Sequence, residues 1–249
     1  MSTLPKVSII TVCFNAADTI SKTIDSVLAQ DYPNIEYLII DGKSTDNTLE
    51  VVAKYEGKID KIVSEKDKNT FDAMNKGLQH ATGDFVWYMH ADDQIFAPDT
   101  LSMAMKDYAG EDFIYGKTRM VSETGQERSL EERKAHPSDQ TLSYRTLLDG
   151  MVIGHQAMLV RRTIAPLYDL QYPLVGDLDW VINILKKTTK VRDAGIYMCR
   201  FVEGGISTQR RKASLQQRFE ILVKHFGYWA TLKQHAWIVL KAIKRGSTR

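Results

Sequence analysis

The sequence predicts an α/β domain with a doubly wound, mostly parallel sheet flanked by helices, and three observations carry that prediction. Between Lys6 and Val63, apolar runs of strand length alternate with amphipathic stretches in the order βαβαβ, which favours parallel pairing through right-handed crossovers. The run Phe85-Val86-Trp87-Tyr88-Met89 has the composition of a strand buried on both faces, and it ends abruptly in His90, Asp92 and Asp93. A length of 249 residues with a 43% hydrophobic fraction suits one large α/β domain or two small ones and excludes a disordered chain.

Lys6 to Val12 reads as the first strand. Cys13 to Asp18 turns into a helix with Ile20, Ile24, Val27 and Leu28 on one face and Asp18 as its expected N-cap. Tyr32-Pro33-Asn34 breaks that helix. Ile35 to Ile40 is the second strand, and Asp41 to Asp46 turns into a helix running through Glu50 and Val52 to Tyr55. Ile59 to Val63 is the third strand. After the charged loop Ser64 to Thr70, a short helix directs Phe71, Met74 and Leu78 inward and leaves Asp72, Asn75 and Lys76 for a cleft. For Lys76 a solvated helix face is the competing reading. Ala81-Thr82-Gly83 ends this helix.

Two adjacent carboxylates at the end of a buried strand raise one another's pKa, and a divalent metal with oxygen ligands removes the conflict. The crevice outside the carboxyl ends of the strands is also where open α/β sheets bind ligands. The competing reading of Asp92-Asp93 is an acidic turn capping a helix that starts near Thr100. His90 reads as a local hydrogen-bonding residue, with metal or phosphate contact as the alternative. The turn after the first strand contains no glycine, and no phosphate-cradling G-x-x-x-x-G-K-[ST] occurs anywhere, which demotes NAD and P-loop chemistry. A nucleotide bound to this sheet needs its phosphates neutralised otherwise, as a metal on Asp92 and Asp93 would do.

Cys13 and Cys199 lie far apart without metal-ligand spacing, so neither a disulfide framework nor a zinc site is indicated, and a reducing cytosol fits best. Met1 to Pro5 is too short for a signal peptide, and no apolar run approaches the roughly 18 residues of a membrane span. The net charge of +2 hides an asymmetry: from Gly204 onward ten basic residues face Glu220 alone, giving +9 and leaving −7 for the body. An acidic body without a recognition motif argues against nucleic acid.

Several stretches, in this order and spacing, resemble the family 2 glycosyltransferases of the GT-A fold, similar to bacterial exopolysaccharide and O-antigen enzymes. They are Ser8 to Asn15, Tyr37 to Asp46, Ser64-Glu65-Lys66-Asp67, Phe71 to Gly77, and Ala81 to Asp84 with Asp92-Asp93. The clear resemblance covers roughly the first hundred residues. It implies a Rossmann-like sheet, a nucleotide-sugar donor, a divalent ion (Mn²⁺ or Mg²⁺) and inversion at the anomeric carbon. Position by position, it implies that Phe14 flanks uracil or ribose, with Thr11, Asn15, Asp72 and Lys76 on the same donor side. Asp41 would lie beside the base, Asp92 near the ribose and metal, and Asp93 on the metal that bridges the diphosphate. Gly42 departs from the pattern, since many relatives carry a second acid there.

In the second half, Ile114 to Lys117 and Thr118 to Ser122 read as short strands, with Glu123 to Gln126 as a hairpin turn. Ser129 to Asp139 is polar and unperiodic, a surface loop with a lid as the alternative. Gly154 to Arg161 resembles the His-Gln strand of members that act on lipid-linked or polysaccharide acceptors, placing His155 and Gln156 on the acceptor side; a buried, satisfied histidine is the competing reading. Val175 to Trp180 opens an apolar helix that either Asp177 or Asp179 would N-cap. By resemblance Asp177 matches the catalytic base, with Asp179 on the acceptor side. Lys190 to Phe201 is a strand, and Glu203 to Thr208 matches the family's Gly-Gly turn, followed by Arg210, Arg211 and Lys212 as diphosphate contacts or a plain basic loop. The basic, tryptophan-bearing terminal helices either pack on the body or suit an anionic membrane surface.

The expectation is a metal-dependent inverting glycosyltransferase, moving a sugar from a nucleotide-diphosphate donor, a UDP-sugar first, onto a growing bacterial surface glycan, with a polyprenyl-diphosphate-linked glycan as one form of that acceptor. Residues 1–100 form the nucleotide-sugar-binding half, 101–208 the acceptor and catalytic half of the same domain, and 209–249 the basic amphipathic helices. The expected place is the cytoplasm, peripheral on the inner face of the inner membrane. The rivals are a non-catalytic nucleotide-sugar or glycan-binding module and a nucleotidyltransferase.

Overall fold

The computed structural model describes residues 4–122, 126–129, 142–202 and 210–246. Its centre is a nine-stranded sheet in the order β3-β2-β1-β4-β8-β6-β9-β5, with β7 paired to β6. Strands β1 (Val7–Cys13), β2 (Ile35–Asp41), β3 (Lys61–Ser64) and β4 (Phe85–His90) form a wholly parallel half. The other half is mixed, built from β5 (Gln94–Ile95), β6 (Phe113–Val121), β7 (Glu127–Ser129), β8 (Met158–Arg161) and β9 (Val191–Val202). There β6 runs parallel to β9, and β8 joins β4 to β6 by antiparallel pairs.

The period of two in the buried strands divides the core between two faces. Ile10, Leu38 and Tyr88 meet α3 (Thr70–His80) and α5 (Gly176–Lys187), while Ile9, Ile39 and Trp87 meet α1 (Ile20–Leu28), α2 (Thr48–Ala53) and α4 (Thr100–Met105). Helix α3 crosses so close that a Cβ on Gly77 would stand 2.4 Å from Ile10 Cγ2, so only glycine allows this approach. Helices α6 (Arg211–Phe226) and α7 (Tyr228–Gly246) complete the chain, and α6 adds Ile221 and Leu222 to the α3 side.

Some local expectations change. The N-cap of α1 is Thr19, because the amide of Ile20 already reaches Ala16 O and the helix starts after Asp18. Helix α2 stops at Ala53, and β3 begins at Lys61 as an exposed edge strand. Residues 114–121 form one continuous strand with an irregularity between Tyr115 and Thr118 in its register with β9. Strand β5 went unforeseen, since two residues give no periodicity. Strands β6 and β7 pair antiparallel as a hairpin requires. The loop read at 129–139 falls outside the described residues from 130 onward, and the Gly-Gly turn at 203–208 lies outside them entirely.

Glu36 locks the base of the sheet. Burial raises its pKa, but hydrogen bonds from Ser8 Oγ, the Thr82 amide and hydroxyl and Lys6 Nζ outweigh this and hold it at about 2. A depressed carboxyl contributes stability that is complete above its unfolded value near 4.5 and fades as pH falls toward about 2. Thermal unfolding followed from pH 6 to 2 should therefore show a loss across that window. Glu36→Gln should flatten the loss and lower stability at pH 7 by about 1–2 kcal/mol.

Candidate active site

The chain order reverses between β1 and β4: β2 and β3 are laid down on one side of β1, and β4 on the other. Such a switch point opens a crevice at the carboxyl ends of these strands, and His90, Asp92 and Asp93 stand there. A tight turn holds them, with the Asp93 amide on His90 O at 3.0 Å and Thr23 of α1 donating to Asp93 O at 2.6 Å. The helix-capping reading of the acid pair fails, since β5 intervenes and the N-cap of α4 is Asp99.

Asp93 is fully buried. Its Oδ2 accepts from Gln156 Nε2 at 2.7 Å and from the His90 amide at 3.3 Å, while its Oδ1 has no partner. Burial first, and then the Asp92 charge, push its carboxyl well above the ordinary range. His90 Nε2 is likewise buried without a partner, and burial lowers the imidazole's pKa against the opposing pull of Asp92. One possible ligand atom from each of His90, Asp93 and the exposed Asp92 lies within 4.8 Å of the others. A divalent cation would satisfy all three, so the residues present fit a metal, with His90 Nε2 available to it beside the two carboxylates. The available signal for His90 is its place two residues before Asp92 at the end of the buried strand.

On the donor side, Phe14 at the end of β1 is 61% exposed, free to flank a ring. A Cβ on Gly42 would lie 2.8 Å from Asp67 Oδ2 and 3.3 Å from the Phe14 ring, so Asp67 fills the space that a side chain at 42 would take. The other residues expected on the donor side make hydrogen bonds within the protein. Thr11 is buried, its hydroxyl 3.0 Å from Tyr37 Oη. Asp41 is closed off by Ser44 and Ser64, whose hydroxyls donate to its carboxylate at 2.5 and 2.6 Å. Asn15 takes the left-handed conformation (φ 49°), and its side chain accepts from the Thr45 amide, tying two turns together. The Lys76 ammonium donates to Asp67 and Lys66 O and pairs with Glu65 at 3.2 Å. Asp72 accepts from the Lys68 amide, and Asn75 is buried, clamped to both backbone groups of Tyr168.

His155 and Gln156 sit on a 3-10 turn ahead of β8, not on the strand. His155 is buried and shares a 2.7 Å hydrogen bond with Tyr168 Oη; burial and the nearby His90 push it down to about 3, so it is neutral at pH 7. Gln156 Nε2 donates to Asp93 Oδ2. Asp177 lies in the first turn of α5, where the Leu178 amide donates to its Oδ1 at 3.0 Å and the helix dipole suits an anion. Neither Asp177 nor Asp179 is the N-cap, which is Val175. Gly176 brings this turn against Phe71, which stacks on Tyr168 as Tyr168 stacks on Trp180. Half-buried Asp177 thus stands over the same aromatic layer that backs His155. Asp179 points the other way: it is buried and bonded to His225, Lys224 and Asn183, anchoring α6 to α5.

Residues 8–165 match the model of Glycosyl transferase family 2. The chain belongs to that family. A putative teichuronic acid biosynthesis glycosyltransferase of Bacillus subtilis, TuaG, is 30% identical over 240 residues, covering 89% of this chain and 90% of that one. Residues 1–349 of Staphylococcus aureus TarS superpose with a TM-score of 0.70 at 16% identity, over 92% of this chain and 71% of that one, and TarS has also been solved with UDP-GlcNAc. The mannosyltransferase PcManGT of Pyrobaculum calidifontis, solved with GDP-Man and Mn²⁺, gives 0.66 at 19% identity, over 97% and 76%. These structures share the GT-A fold with the chain, which is therefore a family 2 glycosyltransferase by sequence and a GT-A protein by architecture. Among the described residues no helix is long and apolar enough to cross a membrane.

Proposed function

We propose that this glycosyltransferase transfers a sugar from a nucleoside-diphosphate donor, with a divalent metal and inversion, to a growing bacterial surface glycan. The observation that carries the reading is the pair of orphaned ligand atoms, His90 Nε2 and Asp93 Oδ1, beside Asp92 at the switch point. A nitrogen ligand among carboxylates favours Mn²⁺ over Mg²⁺. When bound, the metal supplies Lewis-acid neutralisation of the donor's diphosphate as it departs. Phe14 flanks the base, and Asp67 offers Oδ2 at its edge, where uracil presents an imide N–H. Asp177 takes the proton from the acceptor hydroxyl as that oxygen attacks the anomeric carbon. No second acid is needed, in contrast to a hydrolase, because a diphosphate leaves without protonation. A UDP-sugar accords with the UDP-GlcNAc complex of TarS, and a surface glycan with the teichuronic acid role named for TuaG.

The acceptor side is residues 101–208, and the terminal helices hold the enzyme at the inner face of the membrane. Trp229 (79% exposed), Trp237 and Leu232 project from α7 beside exposed Lys233, in a tail of net charge +9 that anionic lipid would attract. The metal and donor assignments are tested by calorimetric titration with UDP, GDP, dTDP and NAD, each with Mn²⁺ and again with EDTA. Binding of UDP that requires Mn²⁺ is expected. Binding indifferent to EDTA would remove the metal from the reading, and preference for GDP would remove the uracil contact.

A further inference from the structure

We infer that Gln156 is a positioning residue for the metal carboxylate, fixing which oxygen of Asp93 faces the cation; the inference rests on the metal site proposed above. A carboxylate with two equivalent free oxygens can turn about its terminal torsion and present either one or both. In this protein one oxygen is taken. Gln156 Nε2 donates to Asp93 Oδ2 at 2.7 Å and the His90 amide adds a second contact at 3.3 Å; the Val202 amide also faces the carboxyl, but no donor closes to hydrogen-bond distance on Oδ1. Only the NH₂ end of an amide can serve an ionised carboxylate, so the hydrogen bond also sets the glutamine's orientation.

Gln156 is held rigidly for this task. It is buried, its own carbonyl accepts from Trp87 Nε1 at 2.7 Å, and its neighbour His155 is pinned by Tyr168. Trp87 is itself fully buried in β4, three residues before His90, so one strand supplies a ligand and the support of the residue that orients another ligand. The arrangement leaves Asp93 as a one-oxygen ligand, with Oδ1 and His90 Nε2 as the uncommitted buried pair.

The test is direct metal binding by the full chain, without nucleotide or acceptor. Mn²⁺ affinity is read from the loss of the free-ion paramagnetic resonance signal, and coordination from the visible spectrum of bound Co²⁺. Wild type should bind Mn²⁺ and Asp93→Ala should not. Gln156→Met, similar in volume but without a donor, should weaken Mn²⁺ binding about 10- to 100-fold and change the Co²⁺ bands, as loss of an outer-shell partner does. A purely structural role would lower the melting temperature but leave the affinity and spectrum of the folded protein unmoved. Unchanged Mn²⁺ affinity and an unchanged Co²⁺ spectrum in Gln156→Met would overturn the inference. Should that variant not fold, Gln156→Asn keeps an amide but withdraws it by one methylene, and the same two readings decide. Absence of Mn²⁺ binding by wild type would instead sink the metal site itself, and the role of Gln156 with it.

Discussion

Asp177→Asn should reduce sugar transfer by about 10²- to 10⁴-fold, the range a general base supplies, while Mn²⁺-dependent UDP binding stays near the wild-type value. The substitution is nearly isosteric, and the asparagine oxygen can still accept from the Leu178 amide as Asp177 Oδ1 does now. Helix α5 has anchors besides this carboxylate. It is held by Trp180, whose Nε1 donates to Pro166 O at 2.7 Å, and by Asp179 through His225 and Lys224. The loss should therefore fall on the chemical step, seen as a reduced single-turnover rate at saturating donor in a variant that still folds and binds UDP. A variant that transfers sugar at the wild-type rate would place the base elsewhere. The equivalent change at Asp179 should have the opposite profile: it strips a buried His and an ammonium of their shared partner, so stability falls first.

The parallel half of the fold was legible because its central strands are buried on both faces, and a mostly apolar, β-branched run such as Val7–Cys13 or an apolar one such as Phe85–Met89 admits few other readings. The acid pair at the end of β4 was legible for the same reason, since charge following such a run needs an explanation. What the sequence hid was direction. Thr11, Asn15, Asp41 and Lys76 all sit in motif positions at the crevice end of the sheet, yet the Thr11 hydroxyl, the Asn15 Oδ1, the Asp41 carboxylate and the Lys76 ammonium meet Tyr37, Thr45, Ser44 and Asp67. A pattern records that a residue type is required and not whether it faces ligand or backbone. Gln156 shows the converse: read as an acceptor contact, it crosses from the turn before β8 to the β4 acid, a pairing 63 residues apart in sequence that no local signal announces. Asp67 was equally hidden, because only three-dimensional packing reveals that it fills the space above Gly42.

Asp93→Asn should abolish metal-dependent donor binding and, in the absence of metal, raise the melting temperature. Both effects have one cause. The wild-type carboxyl is fully buried, beside the charge of Asp92, with one oxygen unpartnered. Its pKa is raised by the fold, so it contributes no stability at low pH and subtracts from stability as pH rises above its unfolded value near 3.8. An amide of the same shape keeps the Gln156 hydrogen bond through its oxygen and removes the charge, relieving about 1–3 kcal/mol at pH 7. For a chain of this size that corresponds to a gain of roughly 2–4 °C per kcal/mol. Adding Mn²⁺ should then raise the melting temperature of wild type, by the linkage between binding and folding, and leave Asp93→Asn where it was. Scanning calorimetry of both proteins, with Mn²⁺ and with EDTA, reads all four values at once. If the variant melts lower than wild type in EDTA, Asp93 is a structural acid whose charge the fold requires. If the variant melts higher in EDTA but still shifts with Mn²⁺, the metal is held without it. The expected crossing, with the variant more stable without metal and wild type gaining with it, is the mark of a residue kept for its ligand at the expense of the fold.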